Sequence, residues 1–144
     1  MPGWGTGSFE NEDTQSFLGE LKSLRIDDVR LLLARAADHE GYLEAKEAGI
    51  AIAAAEAIAG LSAAEESPRT SSLPGQILDW IGQNNLIGQN KAEAAAQLAE
   101  LRELAQRAVE RVRTNSELKD FWLQAEGLNE WSAALRDLEQ RLSL

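Results

Sequence analysis

Apolar side chains recur three and four residues apart along most of this chain, which is the spacing that places them on one face of a helix. Seven segments with this spacing are predicted as helices: 13–24, 27–37, 40–59, 74–83, 90–113, 117–126 and 129–142. No segment alternates apolar and polar residues as a half-buried strand does. The pattern therefore predicts an all-α fold, a single compact helical domain of about six or seven helices.

The third of these segments is apolar at every position from residue 50 to residue 55. A helix without a polar face is expected at the centre of a domain, and Gly60 is predicted to end it. The polar stretch 61–75, which contains two prolines, is predicted as an internal loop. It is not a domain boundary, because neither side alone has enough apolar surface for a secure core, and we expect one domain over residues 1–144.

The N-terminal segment has an unusual composition, with Gly3, Gly5 and Gly7 around Trp4 and with Phe9 close behind. Glycine lets the backbone fold closely around a large side chain. Each aromatic ring can bury about 150–250 Å² of surface. We expect this Gly/Trp-rich loop to pack on the helical body as a plug; a loop that grips a ligand is the alternative.

The composition excludes several classes of protein. The chain has 144 residues, no cysteine and a net charge of -10. Without cysteine there is no disulfide, no thiol nucleophile and no cysteine-ligated metal site. A strongly acidic chain does not neutralise phosphates, so nucleic-acid binding is not expected. No apolar run reaches the roughly 18 residues of a membrane span, and the N-terminus does not resemble a signal peptide, so a soluble cytoplasmic protein is expected.

The negative charge is concentrated in the first half of the chain. Residues 1–67 hold 13 acidic and 5 basic side chains, whereas residues 68–144 hold 11 and 9. The first half therefore has a field that attracts a basic protein partner or a metal ion. Solubility alone is the other explanation, since charged surfaces also keep proteins dispersed.

Glu56 is the most unusual single residue, because all its neighbours over residues 52–59 are apolar. A carboxylate buried there has to be paired, hydrogen-bonded or protonated, since an unpaired buried charge costs several kcal/mol. Arg30 or Arg35 could reach it from the second helix. The N–H groups of residues 3–5, including the indole, are the other candidate donors. A structural role is favoured over a functional carboxylate.

An acidic row follows the second predicted helix. Glu40, Glu44 and Glu47 are spaced to share one helical face and are the candidate ligands for a hard divalent cation. They would need a second row of carboxylates opposite, and otherwise form a solvated face. His39 is the only histidine, so a hydrogen-bonding role at a helix junction is favoured over a zinc site.

Known catalytic motifs are missing from the sequence. It contains neither a Gly-x-Ser-x-Gly elbow nor a Gly-x-x-x-x-Gly-Lys phosphate loop, and the early glycines follow no predicted strand. We therefore assign no catalytic residue and no cofactor, and the balance is against an enzyme.

Four stretches resemble a bacterial family defined as a domain of unknown function, DUF4259. They are 4–13 (WGTGSFENED), 51–59 (AIAAAEAIA), 116–122 (SELKDFW) and 131–142. The resemblance implies a small cytosolic helical protein and carries over no reaction, cofactor or catalytic residue. It marks the N-terminal loop and Glu56 as family hallmarks. The residues with a structural or functional role are then Trp4, Gly5, Phe9, Asn11, Asp13 and Glu56.

Three hypotheses about function follow. The leading one is a non-enzymatic interaction protein whose acidic surface binds a basic protein partner, as an immunity protein or antitoxin does. The alternative is a metal-dependent all-α hydrolase that uses the row of helical carboxylates. The third is a homodimer formed along the apolar stripe of residues 98–112, which is equally suited to an internal seam.

Overall fold

The computed structural model describes residues 12–66, 79–80 and 91–143. The helices are α1 (Glu12–Glu20), α2 (Ile26–Ala37), α3 (Ala45–Glu66), α4 (Lys91–Thr114), α5 (Glu117–Gln124) and α6 (Leu128–Leu142). A short 3₁₀ turn, Leu21–Ser23, follows α1. These parts of the chain contain no strand, and the predicted all-α domain is confirmed. The predicted packing of the N-terminal loop lies outside the described residues.

Helix α3 is the central element. Every residue from Ala51 to Leu61 is buried, and the helix contacts α1, α2, α4, α5 and α6. Alanines at most of these positions let the neighbouring helices approach closely. The absence of a polar face in the sequence therefore predicted its position correctly.

The bounds of α3 differ from the predicted ones at both ends. It begins at Ala45 instead of Glu40, because Gly41 adopts φ +83°, which an α-helix cannot contain. It also continues through Gly60, which is buried, to Glu66. The predicted loop 61–75 is thus wrong for residues 61–66, where Leu61 is fully buried in the core; residues 67–75 lie outside the described part.

Helices α2 and α6 each begin one residue before the predicted start. Helix α2 begins at Ile26, ahead of Asp27, and the Asp28 carboxylate accepts the backbone N–H of Arg25 at 2.9 Å. At α5 the cap is Ser116, whose hydroxyl accepts the N–H of Lys119 at 3.2 Å. Helix α6 begins at Leu128, one residue before the predicted first residue, Asn129.

Helix α4 packs lengthwise against the core. The residues of its predicted apolar stripe are all buried within the chain: Leu98, Leu101, Ala105, Ala108 and Val112. The stripe is therefore an internal seam. Arg113 of α4 forms a bidentate ion pair with Glu139 of α6. Its Nε and Nη2 donate to the two carboxylate oxygens at 2.9 and 3.3 Å.

The first helices are joined to a later part of the chain by Trp80, which is fully buried. Its indole N–H donates to the backbone carbonyl of Leu24 at 3.0 Å, at the junction of α1 and α2. Among the helices in the described ranges, none is long and apolar enough to cross a membrane.

The tight packing around α3 leads to a first prediction. Ala54 is fully buried, so Ala54→Leu inserts three carbons into a filled core and should lower the free energy of unfolding by about 1–3 kcal/mol. The matched change Ala99→Leu lies on an exposed position of α4 and should stay within about 0.5 kcal/mol of the parent. Urea unfolding followed by circular dichroism measures both; equal losses would contradict the central position of α3.

Candidate functional site

Glu56 lies in the buried stretch of α3, and its side chain is 4% exposed. Arg141, near the end of α6, donates to both carboxylate oxygens at 2.8 and 2.9 Å. The same guanidinium donates from Nε to Asp137 one turn earlier, at 3.0 Å. Hydrogen bonds to Glu56 hold the pKa of Arg141 above its ordinary value, although burial acts in the opposite direction.

The predicted arginine partners of Glu56 are therefore wrong. Arg30 faces its own helix neighbour Asp27 at 3.7 Å, and Arg35 is exposed. Arg141 is 85 residues away along the chain, and no local pattern distinguishes it from the other arginines of α6. The other predicted donors, residues 3–5, lie outside the described part.

The remaining residues singled out near the N-terminus are not all within the described part. Trp4, Gly5, Phe9 and Asn11 lie outside it, so their roles stay predictions. Asp13 belongs to α1, one residue after the helix begins.

A second group of polar residues surrounds the loop between α2 and α3. Residues 38–44 are not helical, yet they are held firmly from α4. The guanidinium of Arg111 donates to the carbonyl of His39 at 2.6 Å and to that of Gly41 at 2.5 Å. Arg107, one turn earlier, pairs with Asp38 at 2.6 Å. Two cations on α4 therefore set the path of the loop.

Helix α5 holds the other end of this loop. The N–H of Glu117 donates to the carbonyl of Leu43 at 2.8 Å, and the Glu117 carboxylate accepts the N–H of Ala45 at 2.8 Å. This second bond satisfies a free amide at the start of α3. Glu117 is the first residue of α5, yet its carboxylate caps the start of α3.

Tyr42 projects from the loop and donates its hydroxyl to the Asp120 carboxylate at 2.6 Å. This hydrogen bond, with smaller contributions from desolvation and from the negative charges of Asp120 and Glu117, raises the pKa of Tyr42 to about 12. The bond joins residues that are 78 positions apart. The ring is nevertheless half-exposed, at 52%.

The candidate metal row is not assembled by the fold. Glu40 and Glu44 lie in the loop, and only Glu47 is in α3, so the three do not share a helical face. The reason is the late start of α3, since a helix cannot run through Gly41 at φ +83°. Within the described ranges, no group of three or more His, Asp or Glu side chains is placed to hold a metal ion.

A cleft of about 490 Å³ opens between α2, the loop and α3. Its apolar side is formed by Leu32, Ala36 and Ile50, and its polar side by Arg35, Asp38, His39 and Glu47. The imidazole Nε2 of His39 is 3.2 Å from the carbonyl of Tyr42, and Nδ1 is 3.7 Å from Glu47. His39 thus has the position at a helix junction that its sequence context predicts. Since a carbonyl only accepts, Nε2 is the donor.

The described residues that line this cleft include no hydroxyl or thiol nucleophile. An apolar floor with a few polar side chains at the rim is typical of a recognition surface.

The fold and these two sites define a helical domain with a buried ion pair and an acidic loop that is hydrogen-bonded to α4 and α5. The sequence model of the family described as Domain of unknown function (DUF4259) matches residues 3–134. The chain therefore belongs to this family, as its sequence resemblance indicated. Comparison with curated proteins and with solved structures finds no match.

The buried ion pair leads to a second prediction. Arg141→Met leaves the Glu56 carboxylate without its guanidinium and should lower the free energy of unfolding by about 2–4 kcal/mol. This is below the upper end for buried pairs, because the Arg141 side chain is 40% exposed and partly screened. The double variant Glu56→Met, Arg141→Met buries no charge and should lose less than Arg141→Met alone. Urea unfolding measures the stability of both variants. If Arg141→Met stays within about 0.5 kcal/mol of the parent, the result contradicts the role of the pair.

The Tyr42–Asp120 bond leads to a third prediction. Tyr42 is the only tyrosine, so tyrosinate absorbance reports this ring alone. We expect a midpoint near pH 12, and Asp120→Ala should move it toward the ordinary value of about 10. Because the folded state holds the proton more tightly, the stabilisation is complete below pH 10 and is lost as the pH rises to about 12. The same midpoint in both proteins would show that the bond does not form in solution.

Proposed function

We propose that this protein is a non-enzymatic interaction protein that binds a basic protein partner through the acidic loop between α2 and α3. An immunity protein or antitoxin-like inhibitor is one concrete form of this function. The observation that carries the proposal is a loop that is held rigidly from behind by α4 and α5 while its carboxylates face outward. Loops on a rigid scaffold are common binding elements.

The charge of this region supports a basic partner. Residues 38–47 and 116–120 hold six acidic side chains and two lysines, and Arg107 and Arg111 of α4 also contact the loop. Glu40, Glu44 and Glu47 are all exposed, as are Glu117 and Asp120. We call these five residues the acidic surface. Their combined field draws a cationic partner toward the loop and speeds association.

Rigidity matters as much as charge. The loop is held by Arg111 through two backbone carbonyls, and by Glu117 through a pair of hydrogen bonds. A surface that is already ordered loses little conformational entropy on binding, so more of the contact energy is retained as affinity. A loop kept only for solubility would not need these anchors.

The metal-dependent hydrolase is not supported by the positions of its candidate ligands. Glu40 and Glu44 are outside the helix that was to align them with Glu47. We therefore put forward binding as the function. Within this proposal the partner is met in the cytoplasm, since a chain without cysteine is suited to a reducing compartment.

The proposal is tested with tagged protein as bait in an extract of the cells that produce it. A partner held at about 0.1 M salt should be released at about 1 M, where the screening length falls from about 10 Å to about 3 Å. Glu40→Lys combined with Glu44→Lys should also abolish capture, because the loop then repels a cation.

The matched control is Glu100→Lys combined with Glu130→Lys, which makes the same change of charge at two exposed positions on α4 and α6. It should capture the partner as the parent does. If both double variants lose the partner, the effect is one of net charge and the loop is not the site. A partner that is retained at both salt concentrations and by the loop variant would overturn the proposal.

A further inference from the structure

The described part of the chain exposes three large apolar side chains, and two of them lie on the same surface. Tyr42 is 52% exposed, Leu123 is 57% exposed and Leu31 is 52% exposed. Leu31 is on α2. Tyr42 and Leu123 are both next to Asp120, the first through its hydrogen bond and the second through the helix repeat.

The geometry of this pair follows from α5. The Tyr42 hydroxyl is 2.6 Å from an oxygen of Asp120. Leu123 is three residues after Asp120 in the same helix, and side chains three apart are neighbours on a helix surface. We call Tyr42, Asp120 and Leu123 the α5 surface. It places an aromatic ring and an aliphatic side chain next to the same carboxylate.

Helix α5, which carries two of these three residues, is held in place by aromatic packing. Phe121 and Trp122 contact each other edge to face, with ring centroids 4.9 Å apart, and Trp122 packs against the core. The Trp122 ring also lies against Gly127, where an added Cβ would be 2.6 Å from Cε3. The turn that follows α5 therefore needs glycine at this position, and the end of the helix is held in place.

We infer that the α5 surface receives an apolar side chain of the partner, in a segment where that side chain is flanked by lysine or arginine. The inference rests on the proposed function and adds the chemistry of the partner. Aromatic rings that lose water at an interface supply much of its affinity, and burial of a leucine side chain adds to it. Here Glu117 and Asp120 are exposed beside the apolar pair, so the complementary segment carries cations around its apolar residue.

Other occupants fit this surface less well. A second copy of the chain in a two-fold contact would bring the same carboxylates face to face, which like charges oppose. An anionic membrane or a nucleic acid meets the same repulsion. The occupant with complementary charge is a cationic protein segment.

The test uses a synthetic amphipathic helix of leucine and lysine as the probe, titrated into the full chain by calorimetry at low salt. We expect binding, and Leu123→Ala should weaken it about 10-fold, as loss of a central interface side chain does. The matched control is Leu31→Ala, which removes a leucine of similar exposure on α2 and should change affinity less than about twofold. Both positions are exposed, so both variants should keep the unfolding midpoint of the parent.

A second peptide with serine in place of every leucine separates charge from apolar contact. It should bind about 10-fold more weakly than the probe. Equal binding of the two peptides, equal losses in Leu123→Ala and Leu31→Ala, or no binding of the probe would overturn the inference. So would a dimer in sedimentation that Leu123→Ala dissociates. None of these results decides the proposed function. That function is tested separately, by the salt dependence of partner capture and by the charge reversal in the loop.

Discussion

A helix that is apolar around its whole circumference has to be covered on every side, and this requirement organises the protein. Helix α3 is buried from Ala51 to Leu61 and touches five other helices. Its many alanines keep it thin, so the covering helices approach closely and leave little space for larger side chains. The one carboxylate within it, Glu56, is acceptable there because α6 brings Arg141 to both of its oxygens. The same packing therefore covers α3 and supplies the positive charge that pairs with Glu56.

The same packing also determines what the protein exposes. Helix α4 lies against α2 and α3, and its residues Arg107 and Arg111 donate hydrogen bonds to the turn between those two helices. That turn is therefore a fixed loop rather than an extension of α3, and its glutamates point outward instead of forming one helical row. Helix α5 completes the arrangement through Glu117 and Asp120. The outcome is an acidic surface anchored by hydrogen bonds, with an apolar pair beside it, and it is the basis of both proposals on binding.

Sequence patterns predicted much of the fold and little of the candidate site. The all-α fold and the central position of α3 follow from residue spacing alone, because a helix repeats its faces locally. The burial of the 98–112 stripe was also indicated, although the partner of the stripe was not. The partners of Glu56, Tyr42 and Glu117 were missed or wrongly assigned, since each bond joins residues at least 70 positions apart. Spacing within a segment carries no information about such pairs.

By itself, the sequence determined the class of fold, the central helix, the excess of acid in the first half and membership of the DUF4259 family. It also showed that Glu56 needs a compensating group. Only the tertiary structure decided which arginine that group is, where α3 begins, and which carboxylates share a surface. The physical reason is that helix formation depends on neighbours along the chain, whereas ion pairs, loop anchors and exposed patches depend on how the finished helices pack together.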